Sequence, residues 1–186
     1  AVHEQRSRAG ARRVRRAIAR VMPTTLIRPV DAGPAAGTPA WGISAIGAEG
    51  SPFTGQGVAV AVLDTGIDAN HPAFRGVELV QKDFSGDGNG DRQGHGTHCA
   101  GTIFGRDVDG TRIGVARGVG HALIGKVLDN DGRGSSDALF QGMQWAIDHR
   151  AKVISMSLGF DFPGLVNELV QRDGMPVTAA TSIGLE

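Results

Sequence analysis

The sequence predicts an α/β fold, a parallel sheet flanked by helices, and three observations carry that prediction. The stretch VAVAVLDTGID at 58–68 is an unbroken Val/Ala/Leu run that ends in an acid and a glycine turn. Such a run reads as a strand buried on both faces, here 58–63. Further apolar runs recur at about 77–81, 121–128 and 152–157, with a weaker one near 176–180. Segments of helical character lie between them, one following His95, one at 136–149 and one at 163–172. Strands that alternate with helices imply parallel pairing through right-handed crossovers.

The helix at 136–149 is the clearest. Ser135, Ser136 and Asp137 offer an N-cap, and Leu139, Met143, Ala146 and Ile147 fall on one face. Gly142 inside it costs about 1 kcal/mol relative to Ala, which implies close packing against the sheet. A chain of 186 residues has room for one domain with a sizeable core. Its 20% charged and 40% hydrophobic residues suit a soluble globular protein, and the absence of a run of about 18 apolar residues excludes a spanning helix. Glycine, at 29 residues, is roughly twice its usual share, which predicts many tight turns. The lone Cys99 excludes an internal disulfide and leaves the redox compartment open.

Charge divides the chain. Residues 1–30 carry eight Arg against one Glu, so a net charge of zero leaves a deficit of seven for the rest. Val14, Ile18, Val21 and Met22 share one helical face of the basic segment. It reads as a solvated helix that lays this stripe on its own domain, with a docking, nucleic-acid or membrane-surface helix as the alternative. Pro, Gly and Ala from 31 to 40 suit an exposed linker. The organisation expected is a basic extension at 1–40 and a catalytic-type α/β portion at 41–186. No G-x-x-x-x-G-K-[ST] or strand-borne G-x-G-x-x-G is present, so a nucleotide site is not supported.

Two residues carry the chemistry. His95 stands between Gly94 and Gly96, accessible from several sides, as a general base must be. Asp64 ends the first buried strand, where open α/β sheets place functional groups. Cys99 reads as a small buried thiol, although a reactive one beside His95 is conceivable. Asp87, Asn89 and Asp91 set oxygen donors at alternate positions among glycines, either a Ca²⁺ loop or a solvated acidic one.

The pieces DTGIDANHP (64–72), GHGTHCAGT (94–102) and ISMSLG (154–159) resemble the subtilisin-like serine peptidases, and they occur in that family's order. The resemblance runs from about residue 41 to 177 and implies an Asp-His-Ser endopeptidase acting on polypeptides. His95 would be the base and Asp64 its orienting partner. Ser157, Leu158 and Gly159 match the wall of the primary specificity pocket, and Gly132, Arg133 and Gly134 match the facing substrate rail. The pattern also implies a Ser in G-T-S-x-A and an oxyanion Asn, and neither occurs in this sequence. Residues 178–184, TAATSIG, follow too soon and carry no Asn, so Ser182 is not assigned. The nucleophile is therefore expected beyond this chain, which reads as a subtilisin-like domain incomplete at its C-terminus. The alternative is a pseudo-protease or fragment that only binds peptides or a partner. The missing C-terminal half or another copy would be the natural partner, and no nucleic acid is expected. Secretion is favoured by the resemblance alone. TPAWGI (38–43) looks like a mature start, which would make the preceding residues the tail of a pro-region. A second family Ca²⁺ loop, after the His helix, departs from its pattern at Ala73 and Arg117, leaving Asp107 and Asp109 to remake it. His98 is read as a packing residue.

Overall fold

A computed structural model describes residues 27–29 and 41–183. The basic helix and the linker expected before residue 41 lie outside the described residues. The elements are β1 (Ile27–Pro29), α1 (Trp41–Ala45), β2 (Ala59–Asp64), β3 (Glu78–Asp83), α2 (His95–Phe104), β4 (His121–Lys126), α3 (Ser136–Asp148), β5 (Val153–Ser155), β6 (Leu158–Phe160), α4 (Phe162–Asp173) and α5 (Val177–Ile183). Residues 27–160 form one unit and 161–183 belong to another.

In the first unit, four parallel strands lie in the order β3-β4-β2-β5. The register brings Asp83, Lys126 and Asp64 together at the carboxyl ends of β3, β4 and β2. Alternation along the strands divides the core between the two faces. Val60, Val62, Ala122 and Ile124 pack with Ala100 and Phe104 of α2. Ala61 and Leu123 pack on Trp145 and Ala146 of α3, and Leu63 on Leu139. A sheet covered on both faces explains why its strands read as continuous apolar runs rather than alternating ones.

Helix α3 starts where expected, with the Ser135 side chain accepting from Ala138 N. A Cβ on Gly142 would meet Val127 Cγ1 at 2.7 Å, the close approach that the glycine permits. The buried stripe differs from the expected one. Ile147 is 57% exposed, and Trp145 takes its place in the core. Trp145 reaches the sheet and meets Phe84 edge-on, ring centroids 5.8 Å apart.

The second unit is a pair of helices. Asp161 caps α4 by accepting from Gly164 N, and Gly174 ends it in a left-handed conformation. Leu165 and Leu169 of α4 bury Ala180 of α5 between them. The strand expected at 176–180 is thus a helix. Ala179 and Ala180 are strong helix formers, Pro176 O accepts from both of their N–H groups, and Ala180 gains burial against α4. The Ser182 hydroxyl donates to Thr178 O within that helix. Among the described residues no helix is long and apolar enough to cross a membrane.

Candidate active site

Asp64 and His95 lie on the α2 face at the carboxyl edge of the sheet. Gly94, in a left-handed conformation, turns the chain so that His95 opens α2. Gln93 Oε1 accepts from His95 N, satisfying one orphan donor of the first turn. His95 Nδ1 is 2.8 Å from Asp64 Oδ1, which also accepts from Thr65 N at 2.7 Å. Against an acceptor-only carboxylate the Nδ1 nitrogen carries the hydrogen. Asp64 is fully buried, and its Oδ2 has no hydrogen-bond partner among the described residues. The His95 side chain is 9% exposed. The turn after Asp64 demands glycine. Gly66 has φ 104°, and a Cβ there would lie 2.1 Å from Gly90 O.

Asp91 secures this arrangement. Its Oδ1 accepts from Thr65 Oγ1, Gln93 N and Gly94 N, and its Oδ2 from Thr97 N and Thr97 Oγ1. The carboxylate thereby joins the turn after β2 to the positive end of α2. A calcium ligand must offer free oxygen lone pairs, and both Asp91 oxygens are already spent. Asp87 Oδ2 accepts from Asn130 N. As arranged, Asp91 is committed to tying the site together and one Asp87 oxygen to Asn130, commitments that sequence spacing does not reveal. In the second loop considered for calcium, guanidinium groups reach the loop carbonyls. Arg106 donates to the carbonyls of Phe104, Arg117 and Val119, Arg112 to those of Gly114 and Val115, and Asp107 pairs with Arg117.

Burial pushes the Asp91 carboxyl up, but hydrogen bonds from Thr97, Gly94 and Thr65 outweigh it and hold the group below its ordinary value. A folded-state value below the unfolded one, about 3.9, stabilises the fold above that pH and is lost as pH falls through the folded value. Asp91→Asn is therefore expected to lower the melting temperature at pH 7. The gap from wild type should close as both are acidified through the folded-state value of this carboxyl. Thermal melts across pH 2–7 test this, and a pH-independent gap would refute it.

Cys99 sits one helical turn after His95, its Sγ 3.8 Å from Nδ1 and 3.9 Å from Nε2. The sulfur thus lies about equally far from both ring nitrogens. Burial raises the thiol's pKa, a hydrogen bond with Ser157 works against this, and the Asp64 and Asp91 charges raise it further. A protonated thiol is a poor nucleophile. Asp64, His95 and Cys99 offer ligand atoms within 4.8 Å of one another.

The expected substrate segments have separate supports. Val127 N and Leu128 N both donate to Asp64 O, so the exit of β4 is tied to the acid. The turn through Gly132, Arg133 and Gly134 is held by Asp129, whose Oδ1 accepts from Asp131 N and Arg133 N, and Arg133 stays exposed. Ser157 adjoins Cys99. Leu158 and Gly159 belong to β6, which pairs antiparallel with β1. His98 is exposed rather than packed within the described residues. The sequence reading missed Thr65 and Lys126. A lysine inside the apolar run ALIGKVL was the available signal, since a buried ammonium must be held by something.

A family model described as the subtilase family matches residues 55–182. The chain is 41% identical over 117 residues to subtilisin-like protease 6 of Trichophyton equinum, covering 59% of this chain and 27% of that protein. It is 43% identical over 111 residues to an intracellular serine protease of Paenibacillus polymyxa, covering 56% and 34%. Against a cuticle-degrading protease of Metarhizium anisopliae it is 40% identical over 121 residues, covering 61% and 30%. The chain thus spans about a quarter to a third of the length of these curated relatives. By the match over residues 55–182, this chain belongs to the subtilase family.

Proposed function

We propose that the chain forms part of a serine endopeptidase, with His95 as general base and Asp64 as its orienting acid. The carrying observation is the 2.8 Å contact between His95 Nδ1 and Asp64 Oδ1 on a rigid strand end and helix start. In this reading His95 Nε2 takes the proton of a serine hydroxyl and later returns it to the leaving amine. Asp64 fixes the ring and stabilises the imidazolium. The serine and the oxyanion donor are supplied by sequence outside residues 1–186.

The substrate is read as an extended peptide laid against Ser157–Gly159 on one side and Gly132–Gly134 on the other. Support comes from β6, whose edge already accepts an extended segment, β1, by antiparallel strand addition. That pairing fits residues 1–40 as a pro-region tail that takes a substrate's place. It equally favours the second reading, a peptide-binding module without turnover. Arg133, exposed on the rail, is proposed to favour acidic residues at the outer subsites. Arg133→Glu should shift cleavage preference in a peptide library towards basic ones, and an unchanged profile would remove the proposal.

The deciding experiment is intact-mass spectrometry after treatment with a fluorophosphonate, which bonds to activated serines. It is applied to the 186-residue chain and to the longest native product that carries it. The expected result is one adduct on the long form, lost on His95→Ala, and none on the short chain. No adduct on the long form would select the peptide-binding module. An adduct on the 186-residue chain would refute the absence of a nucleophile and direct attention to Ser182.

A further inference from the structure

Asp64 and Lys126 are the only charged side chains buried among the described residues, 0% and 1% exposed. They are register partners at the ends of adjacent parallel strands. Both lie on the α2 face, in step with Val62 and Ile124, which pack against that helix. Asp83 flanks Lys126 from β3, but its oxygens accept from Ser85, Gly86 and Gly88. The ammonium reaches the turn after β2 instead. Lys126 Nζ donates to Thr65 O at 2.5 Å, and the same residue's N–H donates to Asp64 Oδ1. Thr65 Oγ1 donates to Asp91 and accepts from Gly96 N in the first turn of α2. Every polar atom of this fully buried threonine is engaged.

We infer that Lys126 is a positioning residue for the Asp64–His95 pair, pinning the carbonyl of Thr65, the residue whose N–H holds Asp64, and supplying the countercharge for that buried carboxylate. A buried ammonium with nothing to hold is costly, and so is a buried carboxylate without compensation. Placing the two side by side, joined through one residue, offsets both. Without Lys126 the Thr65 carbonyl loses its donor, the peptide that follows Thr65 is free to rotate, and the backbone N–H aimed at Asp64, in the preceding peptide, is displaced through their shared Cα. The carboxylate then holds the His95 ring less firmly. Misplacement of a catalytic group by about 1 Å costs on the order of a hundredfold in rate.

The kinetic consequence rests on the peptidase reading, whereas the spectroscopic one does not. In the 186-residue chain, the low-field proton resonance of His95 Nδ1–H reports the Asp64–His95 hydrogen bond directly. Lys126→Met is expected to broaden or shift it. Leu139→Ala, a core change on α3, should lower the melting temperature but leave the resonance in place. In the longest native product, Lys126→Met should lower kcat about tenfold to a hundredfold with KM within threefold. If Lys126→Met does not fold, Lys126→Gln keeps one donor for the Thr65 carbonyl but removes the countercharge, and the resonance is expected to shift on that account alone. A folded variant with an unmoved resonance would overturn the inference. So would failure of both variants to fold beside a folded Leu139→Ala control, because Lys126 would then serve folding alone. An altered resonance in a protein that never reacts with a fluorophosphonate would keep the inference and discard the peptidase reading.

Discussion

Replacing His95 by Ala in the longest native product that carries this chain is expected to lower kcat by about 10⁶, and Asp64→Asn by about 10⁴. The first magnitude is that of subtilisin, a member of the same family, and the second that of the equivalent Asp→Asn change in a serine peptidase of another fold; both are carried over on the proposed roles. In the proposed mechanism His95 moves the proton, so its loss removes the base entirely. Asp64 only holds the ring. An asparagine there can present its amide N–H to Nδ1, which favours the wrong tautomer and withdraws the charge that steadies the imidazolium. KM should stay within a few-fold, since neither side chain is assigned to binding peptide. The double variant should be no slower than His95→Ala alone, because the two groups act as a unit. Steady-state kinetics on a peptide amide decide the matter. An Asp64→Asn loss below tenfold would mean that the 2.8 Å contact is structural and that the base is oriented by something else.

Periodicity and turn chemistry made most of the sheet legible in the sequence, because they act locally. Strand β2 could be read from its unbroken apolar run, and the acid at its end from the glycine turn that follows. The Ser135 cap and the tight fit at Gly142 were equally local. What escaped was decided by partners distant in sequence. Residues 176–180 carry a weak strand pattern, yet Ala180 finds Leu165 and Leu169 across a helical pair. Ile147 shares a helical face with Ala146 on paper, while the larger Trp145 claims the core. Asp91 had the spacing of a metal ligand, but five donors from Thr65, Gln93, Gly94 and Thr97 reach it first. Alternating acids report which oxygens are present and say nothing of what already binds them. At the site, the residues themselves named Asp64 and His95 separately, and only the resemblance to the subtilisin-like peptidases paired them. Their common face follows only from the parity of β2 and the turn at Gly94.

Two glycines on one helix, α2, should respond to alanine with opposite signs. Where the added methyl has room, Gly→Ala in a helix is favourable by about 1 kcal/mol, since alanine restricts the unfolded chain and suits the helix. At Gly101 a new Cβ meets nothing within 4 Å, so Gly101→Ala should raise stability by about 0.4–1 kcal/mol. At Gly96 the new Cβ would lie 2.3 Å from Gly66 O and 3.1 Å from Gly66 N and Thr65 Oγ1. Those atoms are not free to yield. Gly66 is itself pressed against Gly90 O, and Thr65 is tied to Asp64, Asp91 and Lys126. Overpacking of this kind costs about 1–3 kcal/mol where side chains can shift, and backbone obstacles put Gly96→Ala at or above the top of that range. For a chain of this size a 3 kcal/mol loss is a fall of about 6–12 °C in Tm. The same displacement would draw the first turn of α2, and His95 with it, away from Asp64. Gly96→Ala should therefore weaken the His95 Nδ1–H resonance even well below its melting point, whereas Gly101→Ala should sharpen or preserve it. Thermal melts and proton spectra of the two variants decide this. Equal shifts of Tm would mean that α2 and the turn after β2 move apart at little cost, and that the Asp64–His95 pair is not rigidly held.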